Sequence, residues 1–131
     1  MNIDRYFANI EVCLSSNAIV ASYTLNIDRK AQEIAFLSGR IDCRDGSVMD
    51  FKEFIEETES GIAKYKYGYN YRKGDNVLFR YDNAPDPRAR TLVSFPHHKH
   101  TQHGEIIESR HISLAEVLEE IEDSILDSWN V

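Results

Sequence analysis

The spacing of apolar positions predicts a helix followed by a series of strands. Apolar residues recur at helical spacing over residues 4–14, and Asn2 or Asp4 can cap that helix. Apolar and polar residues then alternate over 19–27 and again over 34–43, which is typical of half-buried strands. The first third of the chain is therefore interpreted as one helix and two strands.

An Asp45-Gly46 pair follows the second strand and predicts a tight hairpin. Both central residues of a type I′ turn have positive φ, and Asp-Gly is among the best pairs for it. Residues 47–57 have an apolar spacing that suits a strand or a helix, and the preceding turn favours the strand. We therefore expect 34–43 and 47–57 to pair.

The next predicted strand, over residues 62–72, carries tyrosines at alternate positions: Tyr65, Tyr67, Tyr69 and Tyr71. In a strand the four rings share one face, with basic and polar residues on the other. Such rings are more often core packed against helices than a platform for stacked bases. Residues 77–81 predict a short strand antiparallel to this one.

Two prolines make residues 82–90 a predicted loop, and Leu92–Val93 and Ile106–Ile107 are expected to be brief edge strands. A capping box of Ser113 and Glu116 then opens a helix. Its apolar stripe consists of Leu114, Val117, Leu118, Ile121 and Ile125.

These elements predict an α+β fold, an antiparallel meander of about five strands with an N-terminal helix and an amphipathic C-terminal helix. The length of 131 residues predicts a single domain over 1–131. No apolar run approaches the roughly 20 residues of a membrane span, and no basic-then-apolar leader is present. With Cys13 and Cys43 read as reduced thiols, we expect a cytoplasmic protein that does not enter membranes.

The net charge of −7 is unevenly distributed. Residues 113–128 hold six acidic residues and no lysine or arginine, which leaves the rest of the chain close to neutral. Residues 87–104 hold no acidic residue but contain Arg88, Arg90, Lys99 and four histidines. The sequence therefore pairs a basic segment with an acidic C-terminal helix.

All the histidines lie in one short segment: His97, His98, His100, His103 and His111. Histidine can act as general acid, general base or metal ligand near neutral pH. In an extended chain His98 and His100 point the same way. A single histidine is often an ordinary loop or edge-strand residue, but the clustering favours a site.

Arg80 and Asp82 lie just upstream and would share one face of the short strand at 77–81. Arginine is the best planar clamp for phosphate, and an aspartate beside a histidine can select its tautomer. The alternative is a surface ion pair next to an ordinary turn. We expect the chemistry of this chain to be concentrated between Arg80 and His103.

The motif RYDNAP at 80–85, followed by FPHHKH at 95–100, resembles the signature of the TumE family of toxin–antitoxin proteins. The likeness extends over most of the chain, about residues 19–125. It implies a prokaryotic toxin whose usual neighbour is a small helix-turn-helix antitoxin. One departure is that Asp86-Pro87-Arg88 stands where the family commonly has one or two histidines.

The first functional hypothesis is an RNA-cleaving toxin that uses no metal or cofactor. Attack by a ribose 2′-OH needs a base, an acid and cations around the phosphate. His98 and His100 are the expected acid and base, in an order left open, and Asp82 is expected to orient one of them. The residues expected to bind substrate are Arg80, Lys99, Arg88, His97 and His103.

Two other classes stay open. His98, His100 and Asp82 could instead supply two imidazoles and a carboxylate to a Zn²⁺ or Mn²⁺ ion in a hydrolase. The chain could also be a non-catalytic module that binds a helix-turn-helix partner. The sequence leaves a homodimer open and does not choose between these classes.

Overall fold

The computed structural model describes residues 1–129 and contains two helices and seven strands. Their bounds in chain order are α1 Ile3–Ser16, β1 Val20–Ala31, β2 Ile34–Cys43, β3 Val48–Thr58, β4 Gly61–Lys73, β5 Asn76–Asp82, β6 His98–Thr101, β7 Ile106–Glu108 and α2 Leu114–Trp129. A short 3-10 helix, Pro87–Ala89, lies between β5 and β6. The predicted α+β class is confirmed, and the ambiguous segment at 47–57 is a strand.

The seven strands form one antiparallel sheet in which each strand pairs with its neighbours in the chain. The structure has seven strands where about five were predicted for the meander. Strand β6 was missed because it is short and polar. The edge strand expected at Ile106–Ile107 is confirmed within β7. The strand expected at Leu92–Val93 is wrong. The amides of Leu92 and Phe95 donate to the carbonyls of Ala89 and Leu92, so this segment forms successive turns.

The turn at Asp45-Gly46 connects β2 and β3 as predicted, but it is not a two-residue type I′ turn. The Cys43 amide donates to the Ser47 carbonyl, so three residues form the loop. Gly46 has φ +87°, whereas no residue other than glycine in 1–129 has positive φ. Asp45 therefore cannot take the first position of a type I′ turn. Its carboxylate instead accepts from the Ser47 amide at 3.0 Å.

Both helices pack on one face of the sheet, which we call the helix face. The Tyr6 hydroxyl of α1 donates to Glu53 of β3, and the Tyr81 hydroxyl of β5 donates to Glu120 of α2. The apolar stripe predicted for α2 is buried along its whole length. Within residues 1–129, neither α1 nor α2 covers the opposite face, which we call the open face. The loop at 83–97 hydrogen-bonds β4, β5 and β6 at one end of the sheet, through Asn83, Ala84 and Pro96.

A bulge in β4 divides the tyrosine stripe. The β3–β4 register shifts between Phe54 and Ile55, which are paired with Lys66 and Lys64, so Tyr65 is the extra residue. A shift of one residue moves a side chain to the other face of a sheet. Tyr65 is accordingly 52% exposed, whereas Tyr67, Tyr69 and Tyr71 are buried in the core. The prediction that all four rings share one face, with Lys64 on the other, is wrong for two residues. Tyr65 lies on the open face, and Lys64 is buried on the helix face.

The helix caps follow the sequence. The Asn2 side chain accepts from the Arg5 amide at 2.8 Å and caps α1. At α2, the Ser113 hydroxyl accepts from the Glu116 amide, and the Glu116 carboxylate accepts from the Ser113 amide. This reciprocal pair is the predicted capping box.

Cys13 and Cys43 are free thiols. Neither helix, within the part of the chain that the structure describes, is long and apolar enough to cross a membrane.

Candidate active site

The pairing of β5 with β6 brings the sequence-predicted site residues together on the open face. Asp82 lies directly opposite His98, and Arg80 lies opposite His100. Because side chains alternate along a strand, all four point to the same side of the sheet. Two residue pairs that are 16 and 20 positions apart in sequence therefore form one cluster.

The Asp82 carboxylate is the centre of this cluster and is almost fully buried. Its Oδ2 accepts from Arg80 Nε at 2.9 Å, and its Oδ1 accepts from the Ala84 amide at 3.0 Å. His98 Nε2 lies 3.1 Å from Oδ1, and His100 Nε2 lies 3.3 Å from Oδ2. Each carboxylate oxygen thus contacts two neighbouring groups, and these contacts hold the Asp82 side chain in one orientation.

His98 is fully buried, with 0% of its side chain exposed. Its Nδ1 lies 2.8 Å from the Pro96 carbonyl oxygen, which can only accept, so Nδ1 carries a proton. A neutral His98 then presents an unprotonated Nε2 to Asp82 and to His100 Nε2, which is 3.2 Å away. His98 Nε2, His100 Nε2 and the Asp82 carboxylate can all act as acceptors and would repel one another. A proton or a cation between them removes this repulsion.

His100 is the histidine of this cluster that reaches solvent, with 25% of its side chain exposed. Within residues 1–129, no group hydrogen-bonds its Nδ1, so this nitrogen is free to contact a ligand. Burial lowers the pKa of His100, the positive charges of Arg80 and Arg88 lower it further, as would a protonated His98, and Asp82 opposes the shift. A neutral ring with an available nitrogen is suited to accept a proton.

Arg88 lies at the margin of the cluster. Its guanidinium bonds Asp86 at 2.8 Å and is largely exposed. The hydrogen bonds from Arg88 lower the pKa of the Asp86 carboxyl to about 2. Since Asp86 neutralises much of the Arg88 charge, Arg88 exerts only a weakened field at His100.

Three of the predicted substrate-binding residues are not brought to this cluster. Lys99 points to the helix face, where its ammonium lies 3.0 Å from Glu120 of α2. His103 is exposed in the turn between β6 and β7. His97 Nδ1 lies 2.8 Å from the Tyr67 hydroxyl.

His97 forms a separate aromatic group with Tyr67 and His111. Its ring stacks on Tyr67 and meets the edge of His111, with ring centroids 5.8 Å and 5.2 Å apart. Burial lowers the pKa of both histidines, and the positive charge of Lys64 adds to the effect. The sequence pattern did not separate this pair from the site histidines, because β6 begins only at His98.

The His97–His111 pair predicts a loss of stability in mild acid. Both native pKa values lie below the ordinary 6.5, so the unfolded chain binds more protons than the native chain as the pH falls through that value. The temperature of thermal unfolding should therefore fall between about pH 7 and pH 5. A His97→Gln/His111→Gln variant should lose part of this pH dependence. A variant with the same pH dependence as the wild type would contradict the assignment.

Sequence reasoning missed the neighbours that hold the site, namely the Pro96 carbonyl and the Ala84 amide. It also missed that Gly68 pairs with Asp82 across the sheet and that Lys52 pairs with Gly68 on the next strand. A glycine inside a strand pattern is a sequence signal for close approach of another group, and Gly68 carried that signal.

One comparison with known proteins found a match. The family described as Toxin TumE matches residues 10–125, which is most of the chain and includes every residue of the cluster. Searches of curated proteins and of solved structures found no match.

Proposed function

The chain belongs to the TumE family and is the toxin component of a toxin–antitoxin system, and we propose that it acts by cleaving RNA. The observation that carries the proposal is the partly exposed His100 beside the buried His98 and Asp82, with Arg80 at the same edge. A neutral histidine, a carboxylate that can stabilise its charged form and a phosphate-binding cation are what cleavage at a 2′-OH requires.

In the proposed reaction, His100 accepts the proton of the ribose 2′-OH as its oxygen attacks phosphorus. The bond from phosphorus to the 5′ oxygen breaks, and His100 returns the proton to that leaving oxygen. The imidazolium formed in between is stabilised by Asp82, which is 3.3 Å from its Nε2. The products are a 2′,3′-cyclic phosphate and a free 5′-OH.

His98 acts through His100 in this proposal. The burial of His98 argues against direct contact with RNA, whereas its Nε2 is 3.2 Å from His100 Nε2 and can exchange a proton with it. Arg80 bonds Asp82 through Nε alone, which leaves its two terminal nitrogens for the phosphate. The sequence predicted that His98 and His100 share the acid and base roles. In this proposal His100 contacts the substrate, and His98 acts on His100.

A second candidate is a metal-dependent hydrolase, because His98, His100 and Asp82 each offer one ligand atom and these atoms lie within 4.8 Å of one another. His98 Nε2 lies 3.2 Å from His100 Nε2 and 3.1 Å from Asp82 Oδ1, and both separations match neighbouring ligands about 2.0–2.1 Å from a Zn²⁺ ion. The bond from His98 Nδ1 to the Pro96 carbonyl is also the usual support of a ligating histidine. A bound ion would supply an activated water or polarise a phosphate oxygen.

One experiment tests the proposal and separates these candidates. Purified protein is incubated with RNA and with the same RNA bearing 2′-O-methyl groups, each with and without a chelator. We expect cleavage of the unmodified RNA alone, cyclic phosphate ends, and no effect of the chelator. Cleavage that ceases in chelator and leaves other ends would favour the metal site. Absence of RNA cleavage under all conditions would contradict the proposed activity.

The family implies an antitoxin partner. We propose that this partner is a helix-turn-helix protein of a type II system and that it docks on α2, which exposes Glu119 and Asp123 on the helix face of the molecule. Basic residues on the antitoxin would complement this surface. Homodimer formation and a cytoplasmic location stay predictions.

A further inference from the structure

A row of open-face residues connects the candidate site to the centre of the sheet. The strand registers pair Ser38 with Lys52, Lys52 with Gly68, Gly68 with Asp82, and Asp82 with His98. Neighbouring strands are about 4.8 Å apart, so Lys52 is about 10 Å from Asp82 along this row. Gly68 lies between them and has no side chain.

Gly68 has no structural need to be glycine. Its φ is not in the positive range that favours glycine. A Cβ at Gly68 would meet only the flexible side chains of Lys52, at 3.4 Å, and Arg80, at 3.5 Å. At Gly39, in contrast, a Cβ would lie 2.4 Å from the Thr24 carbonyl oxygen and would clash. Since glycine weakens a strand, its presence at 68 indicates that another molecule approaches the backbone there.

Two adjacent clefts of about 350 and 240 Å³ lie on either side of this position. Lys52, Arg80 and the Phe36 ring line both clefts, and Lys66 lines the one nearer the site. In residues 1–129, neither Lys52 nor Lys66 has a carboxylate within 4.0 Å. The clefts therefore present cationic side chains that have no anionic partner.

Two acidic residues of this surface, Asp50 and Asp82, are paired with cations, and the Glu56 carboxylate accepts from the Tyr65 hydroxyl at 2.7 Å. Asp50 lines one cleft, and Arg72 lies 3.3 Å from its carboxylate. Asp82 is held by Arg80 and the two site histidines. The unbalanced charge around Gly68 is therefore positive, although the chain as a whole is acidic.

An aromatic surface adjoins the cationic one. The Phe36 ring lies in the next row, which pairs Phe36 with Phe54 and Phe54 with Lys66. The Tyr65 ring, turned to this face by the bulge, lies 6.3 Å from the Phe54 ring. Cations that follow a backbone beside rings that accept bases are the features of single-strand binding.

We propose that the open face around Gly68 binds single-stranded RNA, with a backbone phosphate between Lys52, Lys66 and Arg80 and a base on Phe36. The proposal rests on the proposed function, since it supplies the substrate path to His100. The missing side chain at Gly68 allows the phosphate to approach the sheet. The RNA then continues along the row of residues to the Asp82–His100 cluster.

The test measures binding of a fluorescent, 2′-O-methylated oligouridine of about ten nucleotides, which cannot be cleaved through its 2′ oxygen. Gly68→Val fills the floor of the clefts with a residue that strands favour. Its control, Asn26→Val, adds the same side chain at the β1 end of the same row, outside the clefts. Lys52→Ala/Lys66→Ala is compared with Arg5→Ala/Lys73→Ala, which removes equal charge elsewhere.

We expect Gly68→Val and the Lys52/Lys66 variant to bind at least about tenfold more weakly than wild type. Both controls should bind within about twofold of wild type. Removal of one or two phosphate contacts should also reduce the salt slope of log affinity by about 0.7–1.4. The Lys52/Lys66 variant tests the surface without adding bulk to a central strand.

Each outcome separates this inference from the proposed function. Wild-type binding in the site variants, together with RNA cleavage by the wild type, would overturn the RNA path and leave the activity standing. Weak binding in both site variants with no RNA cleavage by the wild type would support the path and contradict the activity. A wild-type protein that does not bind the oligonucleotide would overturn the RNA path, and its RNA cleavage would decide the proposed function separately.

Discussion

Replacement of both site histidines, as His98→Asn/His100→Gln, is expected to abolish the growth arrest that we predict for the wild-type chain in a prokaryotic host without its antitoxin. Loss of one positioned acid–base group typically costs about 10²–10⁴-fold in rate. Because His98 acts through His100, the two losses should not add fully, and we expect about a 10⁴-fold decrease in RNA cleavage for the pair.

The substitutions are chosen so that the variant folds. An asparagine amide at 98 can still donate to the Pro96 carbonyl, 2.8 Å from His98 Nδ1, and a glutamine at 100 keeps a polar group near Asp82. Gln102→Ala, in the exposed turn of the same hairpin, is the matched control and should arrest growth like the wild type. The thermal unfolding temperature of each protein establishes that it is folded.

Growth arrest by a folded double variant would contradict the proposed roles of both histidines. Arrest by the single variant His98→Asn alone would instead leave His100 as the reacting group and remove His98 from the mechanism. Measurement of RNA cleavage beside growth distinguishes loss of catalysis from loss of expression.

Glu53→Ala is expected to cause the largest loss of stability of any variant considered. The Glu53 carboxylate of β3 is 0% exposed and accepts from the hydroxyls of Tyr6 and Tyr69. Lys64 is 6% exposed, lies 3.7 Å from Glu53, and donates to the Ile112 carbonyl at 2.6 Å. This network connects α1, through Tyr6, and the segment before α2, through Ile112, to strands β3 and β4.

Removal of Glu53 leaves a buried ammonium without its counter-ion and two tyrosine hydroxyls without their acceptor. Burial lowers the pKa of Lys64 and Glu53 opposes that shift, so the alanine variant should favour a neutral lysine. Breaking a buried pair in this way costs about 3–5 kcal/mol in the free energy of unfolding. Urea unfolding measures this change, with Glu59→Ala in the exposed β3–β4 turn as the control.

A second comparison tests the cause of the loss. In Glu53→Leu/Lys64→Met both charges are removed, and the double variant should be more stable than Glu53→Ala, because no uncompensated charge stays buried. Equal stability of Glu53→Ala and Glu59→Ala would show that the network does not stabilise the fold.

Much of the candidate site was predictable because it depends on alternation within short segments. Arg80 and Asp82 are two residues apart in one strand, and His98 and His100 are two residues apart in the next, so each pair shares a face. The same alternation puts Lys99 on the opposite face, where it meets Glu120. Grouping Lys99 with the histidines as a substrate-binding residue followed its place in the motif and not its direction in a strand.

The groups that decide the chemistry were not predictable in this way. That His98 is buried and His100 is exposed depends on the loop that brings the Pro96 carbonyl and the Ala84 amide over the end of the sheet. The separation of His97 from its neighbours depends on where β6 begins. Neither feature leaves a periodic pattern in the sequence.

The sequence by itself determined the helices, six of the seven strands in residues 1–129 and the antiparallel meander, because caps, turns and apolar periods are properties of neighbouring residues. Only the tertiary structure decided the bulge that turns Tyr65 outward, the burial of Glu53 and the row from Lys52 through Gly68 to Asp82. These depend on the register between strands, and register is set by the packing of side chains far apart in the chain.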